Sequence, residues 1–276
     1  MADEPTVPPK RPPQPSEERG IWDELRRLSG ARIGLQRTGA SLATGPLLDF
    51  KLAHARARDA VHDELDETQL SADLEGLGTD VIAVASAAED RQRYLMRPDL
   101  GRRLATGAEA RLAPHAGRHD AVFVIADGLS ARAVQRHAQP VLAGLIPALR
   151  AERWKIGPLV IVRHGRVAVG DVIASLLGSQ SVTVLIGERP GLTAPDSMGA
   201  YLTWQPHPGT TDADRNCISN IRPDGIGYMD AAFKIAHLLR AMRARRISGV
   251  QLKDDSDRSQ AQATIAGQPN DAGSKA

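Results

Sequence analysis

Two charged side chains, Glu188 and Arg189, follow a short run of apolar and β-branched residues after a single glycine. The run, residues 182–186, is too short for a buried helix, and a glycine and then a Pro-Gly pair end it. This pattern predicts a strand that is buried on both faces and stops at a tight loop. Ligands of open parallel sheets bind outside the carboxyl ends of the strands. Glu188 and Arg189 are therefore candidate ligand contacts, and the alternative is a surface turn whose charges point to water.

The single cysteine, Cys217, is the candidate for covalent chemistry. A cysteine becomes a nucleophile when a base such as histidine lies beside it, and His207 is close in sequence. A lone cysteine is more often a small buried apolar residue, and nothing in the sequence shows that the two side chains meet. One cysteine also excludes an internal disulfide and a thiolate zinc cluster, which fits a reducing compartment.

Two further patterns begin like known sites but lack an essential residue. Ser130 follows Gly128 and Leu129 as in a hydrolase nucleophile elbow, but Arg132 stands where that turn needs a small residue. Ser130 is therefore predicted to cap the helix that follows it. Gly225 begins a dinucleotide-like pattern in which no third glycine follows and no strand precedes, so we discount it.

His54 lies on the apolar side of a predicted helix at residues 46–62. That side is formed by residues at helical spacing and is predicted to pack inward: Leu47, Phe50, His54, Ala57 and Val61. A histidine in such a position is more often a core residue with a hydrogen-bond partner than a ligand.

The composition limits the classes of function. The chain has 276 residues with 42% hydrophobic content, which is enough for the core of one large domain. Its net charge is only +2, its arginines are spread along the chain, and aromatic residues make up 3%, so few rings could stack on single-stranded nucleic acid. No apolar run resembles a membrane span or a signal peptide, and we expect a soluble intracellular protein without nucleic-acid or membrane partners.

The elements that position these residues alternate between strands and helices. Apolar runs predict strands at residues 81–85, 121–126, 159–162, 182–186 and 200–204. Helices are predicted at residues 21–28, 46–62, 87–95, 130–151, 170–177 and 228–246. This alternation predicts right-handed crossovers and an α/β fold with a Rossmann-like, largely parallel sheet, helices on both faces and an N-terminal helical extension.

The composition also divides the chain into four segments. Residues 1–20 are rich in proline and residues 253–276 are polar, so both ends are predicted to be disordered. Residues 21–78 are predicted to form the N-terminal helical segment, and residues 79–252 the Rossmann-like domain.

Five separated motifs resemble the small subunit of ethanolamine ammonia-lyase. They are LLDFKLAHARARDAVH (47–62), YLMRPDLGRRL (94–104), VIADGLSARAVQRHA (124–138), VLIGERPGL (184–192) and DRNCISNIRPDG (214–225). The motifs occur in the family's order between about residues 31 and 252, which makes an accidental similarity improbable.

The resemblance implies a carbon–nitrogen lyase that depends on adenosylcobalamin and converts ethanolamine to acetaldehyde and ammonia. In that family a large subunit holds the substrate and the radical chemistry, and the small subunit is a Rossmann-like lid on the corrin that is inactive alone. The assembly it implies is a hetero-oligomer of repeated heterodimers. This chain has no DxHxxG segment, so the resemblance also implies that the cofactor keeps its own dimethylbenzimidazole on cobalt, with no protein ligand to the metal.

The resemblance assigns cofactor contacts to Val167, Glu188 and Cys217, and no catalytic residue. A carboxylate at position 188 could accept hydrogen bonds from corrin amides, and Val167 and Cys217 are small enough for the macrocycle to approach closely. Without the resemblance, Val167 would be taken for an ordinary packed residue after a turn.

Localisation and two alternative functions remain open from the sequence. Relatives that work inside a bacterial microcompartment use an N-terminal extension for packaging, whereas this extension is rich in proline, which cannot form an amphipathic helix. The cytoplasm and a microcompartment are both consistent with this. A stand-alone nucleotide-binding regulator would explain the fold but lacks a phosphate loop, and a cysteine-dependent hydrolase would need an exposed Cys217 with a depressed pKa.

Overall fold

The computed structural model of this chain describes residues 16–256. The helices of this part are α1 (Ser16–Leu28), α2 (Thr44–His62), α3 (Glu67–Glu75), α4 (Arg91–Met96), α5 (Ala108–Leu112), α6 (Ala131–Ala151), α7 (Val169–Leu177) and α8 (Tyr228–Arg245). The strands are β1 (Arg37–Thr38), β2 (Ser41–Leu42), β3 (Val81–Ala85), β4 (Ala121–Ala126), β5 (Ile156–Arg163), β6 (Ser181–Gly187), β7 (Met198–Trp204) and β8 (Arg215–Ile221). None of the described helices is both long and apolar enough to span a bilayer.

Six strands form the main sheet in the order β3-β5-β4-β6-β7-β8. The first four strands of this order are parallel to one another, and β7 and β8 are antiparallel additions at one edge. Every residue of β4 and β6 is buried, as their continuous apolar runs predict. The α/β prediction with a largely parallel, Rossmann-like sheet is confirmed.

Helices cover both faces of this sheet, as predicted. On one face, Phe123 and Ile125 of β4 pack in a cluster with residues of α3, α6 and α8. On the other face, Val122 and Val124 pack with residues of α5 and α7. Alternate residues of one strand thus belong to opposite layers, which is the normal period of a strand.

Strand β8 was not predicted. Its sequence, RNCISNI, is mostly polar, and buried and exposed positions are mixed along it. An edge strand that is antiparallel and partly exposed needs no continuous apolar run, so the pattern that revealed β4 and β6 is missing here.

The chain divides into two compact units with the boundary after Ala55. In the N-terminal unit, α1 begins at Ser16, earlier than the predicted residue 21. Within that unit the guanidinium of Arg26 donates hydrogen bonds to the carbonyls of Ile33 (3.0 Å) and Gly34. Residues 1–15 and 257–276, which contain most of the two predicted disordered ends, lie outside the described residues, and the boundaries of the four predicted segments stay predictions.

Helix α2 corrects the prediction that its apolar side packs inward. Leu47, Phe50 and His54 are all exposed, and only Ala60 of this helix is buried. His54 stacks on Phe50, with 6.2 Å between the ring centroids, so its assignment as a core histidine was wrong. Helical periodicity shows which side of a helix is suited to burial, but it does not show what covers that side.

Candidate functional site

An open concavity of about 460 Å³ lies at the carboxyl edge of the parallel strands. The loop after each of three neighbouring strands contributes to its lining: Gly128 and Leu129 follow β4, Arg166 and Val167 follow β5, and Glu188 and Arg189 follow β6. Glu188 and Arg189 were candidates because ligands of open parallel sheets bind outside the carboxyl ends of the strands, and the structure places both residues at that edge. The volume lies within the usual range for small-molecule sites.

Two glycines allow the loops after β4 and β6 to meet. Gly128 has a φ of +56°, which residues with a side chain rarely adopt. A Cβ added to Gly187 would lie 2.0 Å from the backbone oxygen of Ser130, so the two backbones are in direct contact. This contact is what brings Leu129 and Glu188 to the same concavity.

Ser130 occupies the position before α6, as predicted, but its side chain does not cap that helix. The hydroxyl instead donates a hydrogen bond to the carbonyl of Pro195 at 3.1 Å. The prediction of a side-chain cap was therefore wrong: the hydroxyl is directed at the loop after β6 and accepts no hydrogen bond from a backbone N–H of α6. The bond attaches that loop, which begins with Glu188, to the start of α6.

Glu188 is half-buried, and its carboxylate already has partners within the chain. It accepts a hydrogen bond from the hydroxyl of Ser219, and both of its oxygens lie 3.2 Å from the backbone amide of Asn220. Both donors belong to β8. Glu188 therefore connects the loop after β6 to the edge of the sheet, and it keeps lone pairs for a further donor.

Cys217 lies on β8 directly opposite Tyr201 of β7, and Tyr201 lines the concavity. The cysteine is exposed, so its interpretation as a buried apolar residue was wrong. Desolvation of the thiol raises its pKa, and the carboxylate of Glu188 raises it further, although Tyr201 acts in the opposite direction. A cysteine-dependent hydrolase needs a depressed pKa, so the structure contradicts that alternative.

The two residues considered as neighbours of Cys217, His207 and Tyr201, are also unsuited to activating it as a nucleophile. The Nδ1 of His207 is 3.0 Å from the carbonyl oxygen of Pro208, so the ring is held by its own loop. Burial raises the pKa of Tyr201 to about 12, and its neighbour Cys217 contributes to that rise. Cys217 and Tyr201 both stay protonated at neutral pH and can act as neutral hydrogen-bond donors.

Val167 lies between β5 and α7. It lines the concavity and at the same time packs against the apolar cluster beneath the sheet. The structure thus brings Val167 and Glu188 into one concavity and places Cys217 beside it through Tyr201.

A polar cluster that the sequence did not single out as a site lies next to the concavity. The buried ring of Tyr94 is contacted by the guanidinium carbons of Arg166 and Arg91, at 4.2 and 4.9 Å from the ring centroid. The hydroxyl of Tyr94 donates to the carbonyl of Gly165 at 3.2 Å. Burial raises the pKa of Tyr94, so it stays a neutral phenol between two cations.

Asp127 neutralises only one of these cations. Its buried carboxylate lies 3.5 Å from Arg91 and accepts a hydrogen bond from the amide of Gly165 at 3.1 Å. Burial raises the pKa of Asp127, and the neighbouring cation opposes this rise. Arg91 also donates to the carbonyl of Gly128 at 2.7 Å, so the ion pair supports the glycine turn.

These residues come from three distant segments of the chain. Tyr94, Asp127 and Arg166 are far apart in sequence, and no spacing rule connects them; the only signal was that Tyr94 and Asp127 lie in motifs of the resemblance. Together the residues around the concavity offer hydrogen-bond donors, a carboxylate acceptor and apolar contacts, which suits binding. In the described part of the chain no group of three His, Cys, Asp or Glu side chains could hold a metal ion.

Comparisons with known proteins agree on one family. The model of the ethanolamine ammonia-lyase light chain (EutC) matches residues 19–253. The ethanolamine ammonia-lyase small subunit of Azotobacter vinelandii is 52% identical over 240 residues, which cover 86% of this chain and 89% of that protein. The protein of the same name from Xanthomonas campestris pv. campestris is 50% identical over 258 residues, 92% of each chain. The one from Pseudomonas aeruginosa is 51% identical over 240 residues, 86% of this chain and 88% of that protein.

Proposed function

Because this chain belongs to the ethanolamine ammonia-lyase light chain family, we propose that it binds adenosylcobalamin together with a large catalytic subunit. The name of its relatives, small subunit, supports the existence of a larger partner. In this proposal the complex is a hetero-oligomer of repeated heterodimers that converts ethanolamine to acetaldehyde and ammonia, and this chain alone is inactive.

One observation carries the proposal. Val167 and Glu188 line the same concavity at the carboxyl edge of the sheet, and Cys217 lies beside it opposite Tyr201. These are the residues that the family resemblance assigns to cofactor contacts. These residues are far apart in sequence but meet at the carboxyl edge of the sheet, where ligands of such folds bind. Their convergence supports a shared ligand more strongly than the position of any one of them does.

The chemistry of the concavity fits a corrinoid. A corrin ring combines an apolar rim with many neutral amide groups, and the concavity offers apolar side chains from Leu129 and Val167 beside the carboxylate of Glu188. The buried Nε of Arg166 has no hydrogen-bond partner within the described residues, as expected of a site that a polar ligand completes. A corrinoid is larger than this concavity, so the chain would cover one part of it and the partner the rest.

Each residue has a separate role in this proposal. Glu188 would accept a hydrogen bond from an amide of the cofactor, and Val167 would pack against its ring. Cys217 and Tyr201, both protonated, would approach as neutral groups and leave no charge to be desolvated. When bound, adenosylcobalamin supplies the carbon-centred radical, and this chain binds, orients and shields it.

The test is ammonia release from ethanolamine in the presence of adenosylcobalamin. It compares this chain co-expressed with a candidate large subunit, each chain alone, and the pair without cofactor. Activity that requires both chains and the cofactor supports the proposal. A pair that co-purifies and binds the cofactor but releases no ammonia would indicate another amino alcohol, and a pair that binds no cobalamin would refute the assignment.

A further inference from the structure

Two arginines of the concavity have no acidic partner in the part of the chain that the structure describes. Arg166 and Arg189 both line it, and neither forms an ion pair with any residue of the described part. Among the described residues the Arg166 guanidinium donates one hydrogen bond, a long one of 3.4 Å from Nη2 to the carbonyl of Tyr94. Arg189 is exposed and makes no side-chain hydrogen bond within residues 16–256.

Neither of the two neighbouring carboxylates, Asp127 and Glu188, forms an ion pair with Arg166 within residues 16–256. Arg91, on the other side of the Tyr94 ring, is paired with Asp127. The carboxylate at the rim of the concavity, Glu188, accepts hydrogen bonds from β8. Within residues 16–256, Arg166 is therefore a half-buried cation without an acidic partner, and its charge is available to an anion that enters the concavity.

Arg166 is also held in position. Its guanidinium carbon lies 4.2 Å from the centroid of the Tyr94 ring. A Cβ added to Gly101 would lie 2.7 Å from Cγ of Arg166, so that glycine gives the side chain its room. Helix α7 begins shortly after Arg166, and the positive end of its dipole lies at the same edge of the sheet. A fixed guanidinium loses little conformational freedom when it binds an anion.

We propose that Arg166, assisted by Arg189 at the rim, forms a subsite for a phosphate group and binds the phosphodiester of the cofactor's nucleotide loop. This inference rests on the proposed function. The amide side chains of cobalamin are neutral, and the phosphodiester is its one anionic group at neutral pH. A guanidinium matches two phosphate oxygens at once, and such charge-assisted pairs are among the stronger hydrogen bonds.

The test compares two corrinoids that differ in this group. Hydroxocobalamin contains the nucleotide loop, and cobinamide lacks both the nucleotide and the phosphodiester. Their dissociation constants for the complex with the large subunit are measured by equilibrium dialysis, with absorbance of the corrin as the readout. For the wild type we expect tighter binding of hydroxocobalamin. The Arg166→Gln variant should lose about 10- to 100-fold in affinity for hydroxocobalamin and keep its affinity for cobinamide.

Three further variants separate this effect from a loss of structure. Arg166→Lys keeps the charge but not the planar fork, and should recover part of the affinity. Arg189→Gln changes an exposed side chain that makes no hydrogen bond or ion pair within residues 16–256. It should weaken only the binding of hydroxocobalamin, by about threefold. Arg118→Gln alters an exposed arginine ahead of β4, at the opposite edge of the sheet, and should change neither constant.

The outcomes distinguish this inference from the proposed function. Equal losses for both corrinoids in Arg166→Gln, or no loss for either, would overturn the phosphate subsite and leave cofactor binding intact. Binding of neither corrinoid by the wild-type complex would overturn both proposals. Inorganic phosphate should compete with hydroxocobalamin and not with cobinamide. If phosphate instead binds through Arg166 without competing, the subsite takes a free phosphate and its assignment to the cofactor is wrong.

Discussion

Replacement of Glu188 by alanine removes a carboxylate that faces a proposed ligand on one side and β8 on the other. Within the chain it accepts hydrogen bonds from the hydroxyl of Ser219 and the amide of Asn220. A hydrogen bond to a charged group contributes about 1.5–3 kcal/mol when it is buried. Glu188 is only half-buried and water can replace it, so we expect Glu188→Ala to lower the free energy of unfolding by about 1–2 kcal/mol in total.

The loss of cofactor affinity should be larger than this loss of stability. In the complex, the proposed contact with a corrin amide is excluded from water, so its removal should weaken binding about 10- to 100-fold. Urea unfolding of the isolated chain measures the first effect, and equilibrium dialysis of hydroxocobalamin against the complex measures the second. Glu188→Gln keeps one acceptor oxygen and should give intermediate values for both.

Ser219→Ala is the matched control. It removes one internal donor to Glu188 and no side chain that lines the concavity. We expect it to reduce stability by about 1 kcal/mol and cofactor affinity by no more than about threefold. If Ser219→Ala weakened cobalamin binding as much as Glu188→Ala does, Glu188 would act by holding β8 and not by contacting the cofactor. Parallel losses of folding and binding across all three variants would refute the reasoning in the same way.

Three other predictions follow from single contacts. Asp171→Asn removes the two bonds of 2.7 Å that hold the buried guanidinium of Arg215, and leaves the fully exposed carboxylate of Asp212, 3.5 Å from Nε, as its counter-charge. The free energy of unfolding should fall by about 3 kcal/mol, and a loss below about 1 kcal/mol in urea titrations would mean that Asp212 and water compensate for Asp171. Because the pKa of Cys217 is raised, its alkylation by iodoacetamide should still accelerate above about pH 8.5, and a plateau below that pH would contradict the raised value. His137 is buried with Nδ1 at 2.9 Å from the Tyr228 hydroxyl and Nε2 at 2.9 Å from a backbone carbonyl, and burial lowers its pKa. The folded state therefore favours neutral His137, and this contribution to stability is fully present above about pH 6.5 and is lost as the pH falls through the lowered pKa. We expect the urea concentration at the midpoint of unfolding to drop between about pH 7.5 and pH 5.5. The drop should be smaller in His137→Gln, and an equal drop in both proteins would assign it to other groups.

The sequence predicted the strands and helices whose burial is continuous along their length or along one broad side. Strands β4 and β6 are buried along their whole length, so a continuous apolar run was sufficient to find them. Helices α6 and α8 have broad buried sides, and their extents agree with the prediction within a residue or two. Short or half-exposed elements were missed, α5 and β8 among them, because the burial signal is weak where one side meets water.

The candidate site was predicted only in part. Glu188 could be located from sequence because the end of a buried strand is marked by Gly and Pro, and the sheet rule assigns ligands to that edge. Ser130 shows the limit of such rules. Its residue type suited a helix cap, but its hydroxyl instead donates a hydrogen bond to the carbonyl of Pro195, which is 65 residues away in sequence.

The sequence by itself determined the parallel core of the sheet, the loop that contains Glu188, and the family, since apolar runs, glycines and motifs are properties of neighbouring residues. Tertiary structure alone decided which charges are neutralised. Arg91 and Arg166 both lie against Tyr94, yet Asp127 pairs with the first and not the second. Pairing depends on distances of a few ångströms between side chains from separate strands and helices, and the order of residues along a chain does not contain those distances.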